Sequence, residues 1–403
     1  YATSLWDRYY PSAVKEIEDI RSQLTEEGNT GSEMGMTRIL RVFIYSRLTD
    51  LHGDIPYSEA GQGYTNGILK PKYDAQKDIY MDFLKELEEA VAQIGASTTM
   101  GKSDLIFQGN TTKWKAWGNS MMLRMALRLH KADPATSKAW AEKAAAAGVM
   151  TSNDHIAMIA HTDGPEGINK NGHGEVFDAD GNPRMSKTFV DWLKDDPRLP
   201  ILAARRSDGS TKIADLIGMP NGSTGATVSD TSIYAEPNRS VITKRDVPMV
   251  LQTYAEVRFM LAEMAVRGWN VVGDAKTHYE AGVKAAMQML SGIYPDAAAI
   301  SDAEVATYLA AKPYDASKGW EMISEQYWAA TLLNEYEAFS NWRRTGFPTL
   351  VPTNDPGNVT GGTIPRRLIY PTGEGSTNAE NYNAAIARQG PNDFKTRVWW
   401  DKQ

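Results

Sequence analysis

The residues best suited to chemistry lie in loops. Gly61-Gln62-Gly63-Tyr64-Thr65-Asn66-Gly67 sets an aromatic ring and an amide between glycines that can expose them. A second set, His161, Asn169, His173, Trp192, Tyr234, Asn238 and Arg239, falls in a stretch rich in Gly, Asn, Asp, Pro and Ser. Flat rings stack on the C–H faces of sugars, and planar amide, carboxylate and guanidinium groups hydrogen-bond hydroxyls in pairs. The chemistry expected is reversible recognition of a hydroxyl-rich ligand. Tyr64, Asn66, His173, Tyr234, Asn238 and Arg239 are the candidate contacts, whereas Trp192, at helical spacing from Phe189, reads as packed. Clefts lined by aromatic and Asn side chains suit peptides as well.

Other chemistries find little support. The chain has no cysteine, which removes disulfides, thiol catalysis and Cys-type metal sites together. Its six histidines show no His-x-x-x-His pairing, so neither a metal nor another cofactor is expected. Asp178-Ala179-Asp180-Gly181-Asn182 resembles the start of a calcium loop, but Pro183 replaces the required glycine and Phe189 the twelfth-position glutamate. A turn at Asp180-Gly181 is expected instead. A glycoside hydrolase would need a carboxylate pair, and helical carboxylates such as Glu86, Glu88 and Glu89 read as solvated faces. No catalytic residue is assigned.

These loops need a scaffold, and the composition supplies one. The chain has 403 residues, 42% of them hydrophobic, with a net charge of −7. That is enough apolar material for a core, and the acidity argues against a nucleic-acid partner. There are 11 Trp and 18 Tyr against 9 Phe. Helical periodicity recurs in pairs at about residues 12–48, 78–130, 249–290 and 302–341, the last ending in one long helix from Gly319 to Asn341. Short Ala-rich helix Lys138–Ala147 ends at Gly148, and Ser301 with Glu304 forms a capping-box signature. Between about residues 149 and 248 only Ser186–Lys194 reads as helix, and residues 346–403 read as irregular. Four hairpins of this kind indicate an all-α, tetratricopeptide-like superhelical scaffold within one domain, 1–403, with helical parts at about 12–148 and 249–345.

Several motifs then carry a resemblance. Leu51-His52-Gly53-Asp54-Ile55-Pro56-Tyr57 is similar to the Gly-Asp-Val-Pro element of the SusD/RagB family. Lys113-Trp114-Lys115-Ala116-Trp117-Gly118-Asn119-Ser120 with Arg124 and Arg128, and the Asp196-Pro197-Arg198-Leu199 segment, resemble further family blocks. So do Tyr254-Ala255-Glu256 through Arg267-Gly268-Trp269, Gln326-Tyr327-Trp328, Asn341-Trp342-Arg343-Arg344-Thr345-Gly346 and Ile364-Pro365-Arg366-Arg367. The blocks run in family order from about residue 38 to the end.

The resemblance implies a SusD-like nutrient-binding lipoprotein of the Bacteroidetes outer membrane. Such a protein is exposed on the cell surface and held by an N-terminal lipid. It captures a glycan, or alternatively a peptide, and delivers it to a SusC-like TonB-dependent transporter. The lipid-bearing cysteine is expected upstream of Tyr1. In the family the loop after the Gly-Asp-Val-Pro element contributes to binding, which favours Tyr64 and Asn66. Trp114, Trp117, Trp269, Trp328 and Trp342 lie on apolar stripes or at helix ends and read as packing residues. Arg343 and Arg344 are expected to hold an adjoining loop, and Asp54 to act as a turn and cap residue.

Overall fold

The computed structural model describes residues 3–164, 169–222 and 227–403. The first helix, α1 (Ser4–Tyr9), passes through a wider π-turn over Tyr10–Val14 into α2 (Lys15–Glu26). Pro11 sits in that turn, where a missing N–H is tolerated. Next come α3 (Ser32–His52), β1 (Ile55–Pro56), β2 (Tyr73–Asp74), α4 (Gln76–Gln93), α5 (Thr111–Arg128) and α6 (Pro134–Ala147). The insertion holds β3 (Ala157–Ile159), α7 (Gly172–Ala179), α8 (Lys187–Trp192), α9 (Leu199–Leu202), β4 (Ala203–Arg205) and β5 (Ala235–Pro237). The chain closes with β6 (Met249–Gln252), α10 (Tyr254–Val266), α11 (Ala275–Ile293), α12 (Asp302–Ala311), α13 (Gly319–Ala330), α14 (Glu335–Thr345), α15 (Glu374–Thr377) and α16 (Ala379–Gln389). The strands form three two-stranded antiparallel ribbons, β1–β2, β3–β6 and β4–β5. The protein is thus mostly helical.

Helices pair as α2–α3, α4–α5, α10–α11 and α13–α14, and one apolar cluster from Trp6 to Trp400 runs through α3, α4, α5, α10, α11 and α13. Local chemistry sets their starts. Thr253 and Glu256 close a reciprocal capping box on α10, and Ser301 with Glu304 does the same for α12. Gly118 lets α5 approach its neighbours, because a Cβ there would lie 2.5 Å from Val91 and 2.9 Å from Ile39.

Buried ion pairs tie the layers together. Arg124 donates to Glu256 at 2.6 Å, and Arg128 donates to Glu337 at 2.6 Å. The Tyr327 hydroxyl bridges both carboxylates, at 2.9 Å to Glu337 and 3.2 Å to Glu256. Burial works against each charge, but the two guanidiniums hold the Glu337 carboxyl below its ordinary range. Arg344 reaches Glu263 at 2.6 Å, and Arg343 donates to the Arg366 carbonyl at 2.9 Å. Asp54 accepts the Gln76 N–H that opens α4 and also pairs with Arg388. Trp114 and Trp117 are fully buried.

Three elements differ from the periodicity reading. The long helix expected from Gly319 to Asn341 is broken at Thr331–Asn334, where Leu333 has φ 63° and the Thr331 hydroxyl bonds back to the carbonyls of Tyr327 and Trp328. The fourth hairpin is therefore α13–α14. In the insertion, α7 forms despite Gly172 and Gly174 because the Asn171 side chain caps the N–H groups of His173 and Gly174. The C-terminal segment, expected to be irregular, carries α16, which buries Ala385 and anchors Arg388 on Asp54.

Candidate functional site

A cleft of about 580 Å³ opens between the start of α8, the C-terminal half of α13 and the segment 350–365. Ser186 caps α8 by accepting the Phe189 N–H, and that turn presents Ser186 and Thr188 to the cleft. Trp328 on α13 is half-buried. Its ring stands edge-on to Phe189 (centroids 4.9 Å apart) and to Trp192 (6.1 Å). Trp192 is fixed in turn by donating its indole N–H to Glu325 at 3.0 Å. Burial raises the Glu325 carboxyl above its ordinary range, against that hydrogen bond.

The opposite wall is a loop with a clamped base. α14 ends at Gly346 in the left-handed conformation, and Arg343 and Arg366 each donate to the other's carbonyl across the loop mouth. The Arg366 N–H also donates to the Phe394 carbonyl at 2.7 Å, which brings Phe394 to the cleft. Within the loop, Asn358 accepts from the N–H and hydroxyl of Thr360 and donates to the Thr353 carbonyl. Val351 and Val359 line the cleft yet are 85% and 77% exposed. Asn221 joins the lining from the insertion. Among the described residues that line the cleft, none is charged. Rings, aliphatic groups, hydroxyls and amides converge there.

The sequence-predicted residues are dispersed. Tyr64 is 89% exposed, on a loop that rests on α2 through Gly61 and Glu18 and on α16 through Asn381. Asn66 donates to the Gln62 side chain in that same loop. Tyr234 is half-buried. The residue after it, Ala235, accepts the N–H of Met185, just before the cleft residue Ser186. His173 bonds Glu335 at 3.0 Å, joining α7 to the start of α14. That contact holds the Glu335 carboxyl below its ordinary range, against the partial desolvation it meets there.

Asn238 and Arg239 both make hydrogen bonds within the protein. Asn238 is 6% exposed and accepts the Ser240 N–H. Arg239 binds Glu236 and the carbonyls of Phe177 and Asp180. Around the acidic stretch, Asp178 pairs with Arg245 and the Asp180 carboxylate accepts the Asn182 N–H in a local turn. His161 and Asn169 bond each other. Trp192 packs against Trp328, as its spacing predicted.

Trp328, Phe394, Val351, Val359 and Asn221 were missed as site residues. Trp328 sits on an apolar helical stripe, which is the signature of a core residue. Asn221 and Phe394 occur singly, and the two valines share the loop 350–365. Of the Arg343-Arg344 motif, read as a loop anchor, Arg343 holds the base of this wall through the Arg366 carbonyl, whereas Arg344 binds Glu263 and Asn341.

With this geometry in hand, the comparisons are informative. The chain matches the SusD-like_2 family, described as "Starch-binding associating with outer membrane", over residues 1–371. It therefore belongs to the SusD-like family. Among solved structures it is similar to a chitin-binding protein, at 35% identity and TM-score 0.90 over 100% of this chain and 88% of that one. A Bacteroidetes AC2a SusD-like protein matches at 28% and 0.87, covering 99% and 89%. A chitin-binding SusD homologue from Flavobacterium johnsoniae matches at 26% and 0.84, covering 99% and 86%. No curated protein matches the chain. No described helix is long and apolar enough to cross a membrane.

Proposed function

We propose that the protein captures a neutral oligosaccharide in the cleft beside Trp328, does not cleave it, and passes it to a SusC-like TonB-dependent transporter. An N-terminal lipid would tether it to the outer surface of the outer membrane. The observation that carries this reading is the lining itself: two aromatic rings, hydroxyls and amides, with no charged group among the described residues. A buried charge on the ligand would lose its water without gaining a partner, which disfavours acidic glycans. The same argument disfavours peptides that place charged side chains or termini in the cleft. A carboxylate pair for hydrolysis is not found among the lining residues either.

Chitin-binding relatives at 35% and 26% identity support chains of N-acetylhexosamine as a ligand class, and the family description supports starch. Tyr234, one residue from the strand that meets Met185, would extend the cleft toward the insertion. Tyr64 and Asn66 would form a separate contact surface on the exposed loop over α2.

Isothermal titration with neutral oligosaccharides, acidic oligosaccharides and peptides, followed by product analysis, tests the proposal. Binding confined to neutral sugars, with no products released, is expected. Binding of peptides alone, or release of shorter sugars, would overturn it.

A further inference from the structure

Building on the neutral-oligosaccharide reading, we infer that Val351 and Val359 make the cleft selective for the acetamido substituent of an N-acetylated hexosamine chain. Both valines line the cleft, and both are largely exposed, at 85% and 77%. Single exposed aliphatic residues are ordinary on a protein surface. Two on one cleft wall, facing a ligand space shared with Trp328 and Phe394, are a built apolar patch.

The wall that carries them is braced. Asn358 ties Thr360 to itself and reaches across to the Thr353 carbonyl, so the segment on either side of Val359 is fixed. β-Branched side chains have few rotamers to lose when a ligand covers them.

The ligand chemistry follows from what each group could satisfy. An unsubstituted glucan offers C–H faces to Trp328 and Phe394, but its remaining hydroxyls would be desolvated against the valines without partners. An acetamido group offers a methyl, which gains by leaving water against a valine, at about 25 cal/mol per Å². Its planar amide needs one acceptor and one donor, and the Thr, Ser and Asn groups of the lining supply both kinds. Removing the acetyl group leaves an ammonium, for which the described lining holds no carboxylate. Acetylated, uncharged chains therefore fit where glucans and deacetylated chains do not.

Calorimetry on the full chain with three probes tests this: N-acetylchitopentaose, cellopentaose and the fully deacetylated chitosan pentamer. The first two share a β-1,4 backbone, so their ratio reports the acetamido group alone. The expected preference for N-acetylchitopentaose over cellopentaose is on the order of tenfold or more. In the double variant Val351→Ser, Val359→Ser that preference should narrow to within about twofold, a loss comparable to removing one or two buried methyl contacts. Thermal melting of the variant checks that its fold is retained, which surface valines allow.

Cellopentaose or the chitosan pentamer binding as tightly as N-acetylchitopentaose would overturn the inference while leaving the neutral-sugar reading in place for the former. An unchanged preference in the double variant would overturn the role of the valines. If none of these sugars, nor any other neutral oligosaccharide, binds the protein, the underlying reading falls instead.

Discussion

The ring of Trp328 meets the ring of Phe189 edge-on, with centroids 4.9 Å apart and planes 82° to one another. This contact joins the helical scaffold to the insertion at the wall of the cleft. Phe189 is buried and comes from α8, whereas Trp328 is half-buried and comes from α13. The indole is thus held by its edge neighbours while it lines the ligand space. Trp328→Ala should weaken oligosaccharide binding by at least tenfold, since the stacking surface and its burial vanish together. Trp328→Phe should recover part of the loss. Titration calorimetry on both variants checks this, and an unaltered affinity in Trp328→Ala would remove the cleft from consideration.

Gly222 tests how the cleft wall is joined to the insertion. It follows Asn221 in the lining, has φ +72°, and a Cβ there would lie 2.8 Å from the Thr353 side chain. Gly222→Ala therefore imposes both left-handed strain and a clash on the loop that carries Val351 and Val359. The expected cost is ~1–3 kcal/mol in unfolding free energy, with weaker ligand binding. Gly209, also at positive φ (+70°) but with open space around its Cβ position, is the control. Its alanine variant should show the strain alone and unchanged sugar affinity.

Much of the scaffold was legible because it depends on local pattern. Ser301 with Glu304 announces a helix start within four residues, and the box forms. Trp114 and Trp117 lie on a stripe whose periodicity requires burial, and they are buried. The break at Leu333 was not legible, since it rests on a hydroxyl bonding back to carbonyls within an otherwise helical run. The cleft was still less so. Trp328, Asn221, Val351 and Phe394 meet only after the chain has folded, and none has a local signal that separates a wall from a core. The internal partners of Asn238 and Arg239 were not legible either: Arg239 binds Glu236 and backbone carbonyls, and Asn238 accepts the Ser240 N–H.

Glu337 probes the buried ion-pair network. It accepts from Arg128 and Tyr327, and Arg124 lies 3.7 Å away. Glu337→Ala would leave Arg128 with Asp50 alone, at 3.3 Å, as its buried counter-charge, while Arg124 keeps Glu256. Losing one partner of such a pair costs about 3–5 kcal/mol, more than the pair contributes over an apolar replacement. Urea unfolding should therefore show a large drop in midpoint. Because Glu337 and its partners are not among the residues lining the cleft, the folded fraction should bind oligosaccharide with affinity within about twofold of the parent.

Two histidines should make the scaffold acid-sensitive. Burial, with Arg367 nearby, pushes the His52 imidazole down to about 3. Burial and the charge of Arg344 push His130 down to about 3 as well. Both rings are neutral when folded, while in the unfolded chain each takes up a proton near pH 6.5. Above that value neither state is protonated, and this contribution to stability is fully present. As the pH falls from 6.5 toward 3, only the unfolded chain gains protons, so stability declines by about 1.4 kcal/mol per pH unit for each histidine. Between pH 6.5 and 5, with each unfolded ring already half protonated at the start, the pair should therefore cost about 3 kcal/mol. His52→Gln removes one titrating ring and should lower the slope by about 1.4 kcal/mol per pH unit, the rest staying with His130 and with His155 and His278, which burial also shifts down. Urea midpoints at pH 7.5, 6.5, 5.5 and 5 for the parent and the variant measure the slopes. Equal slopes would show that His52 gains a proton in the folded protein, against the isolation that its packing beside Trp6 and Tyr370 imposes.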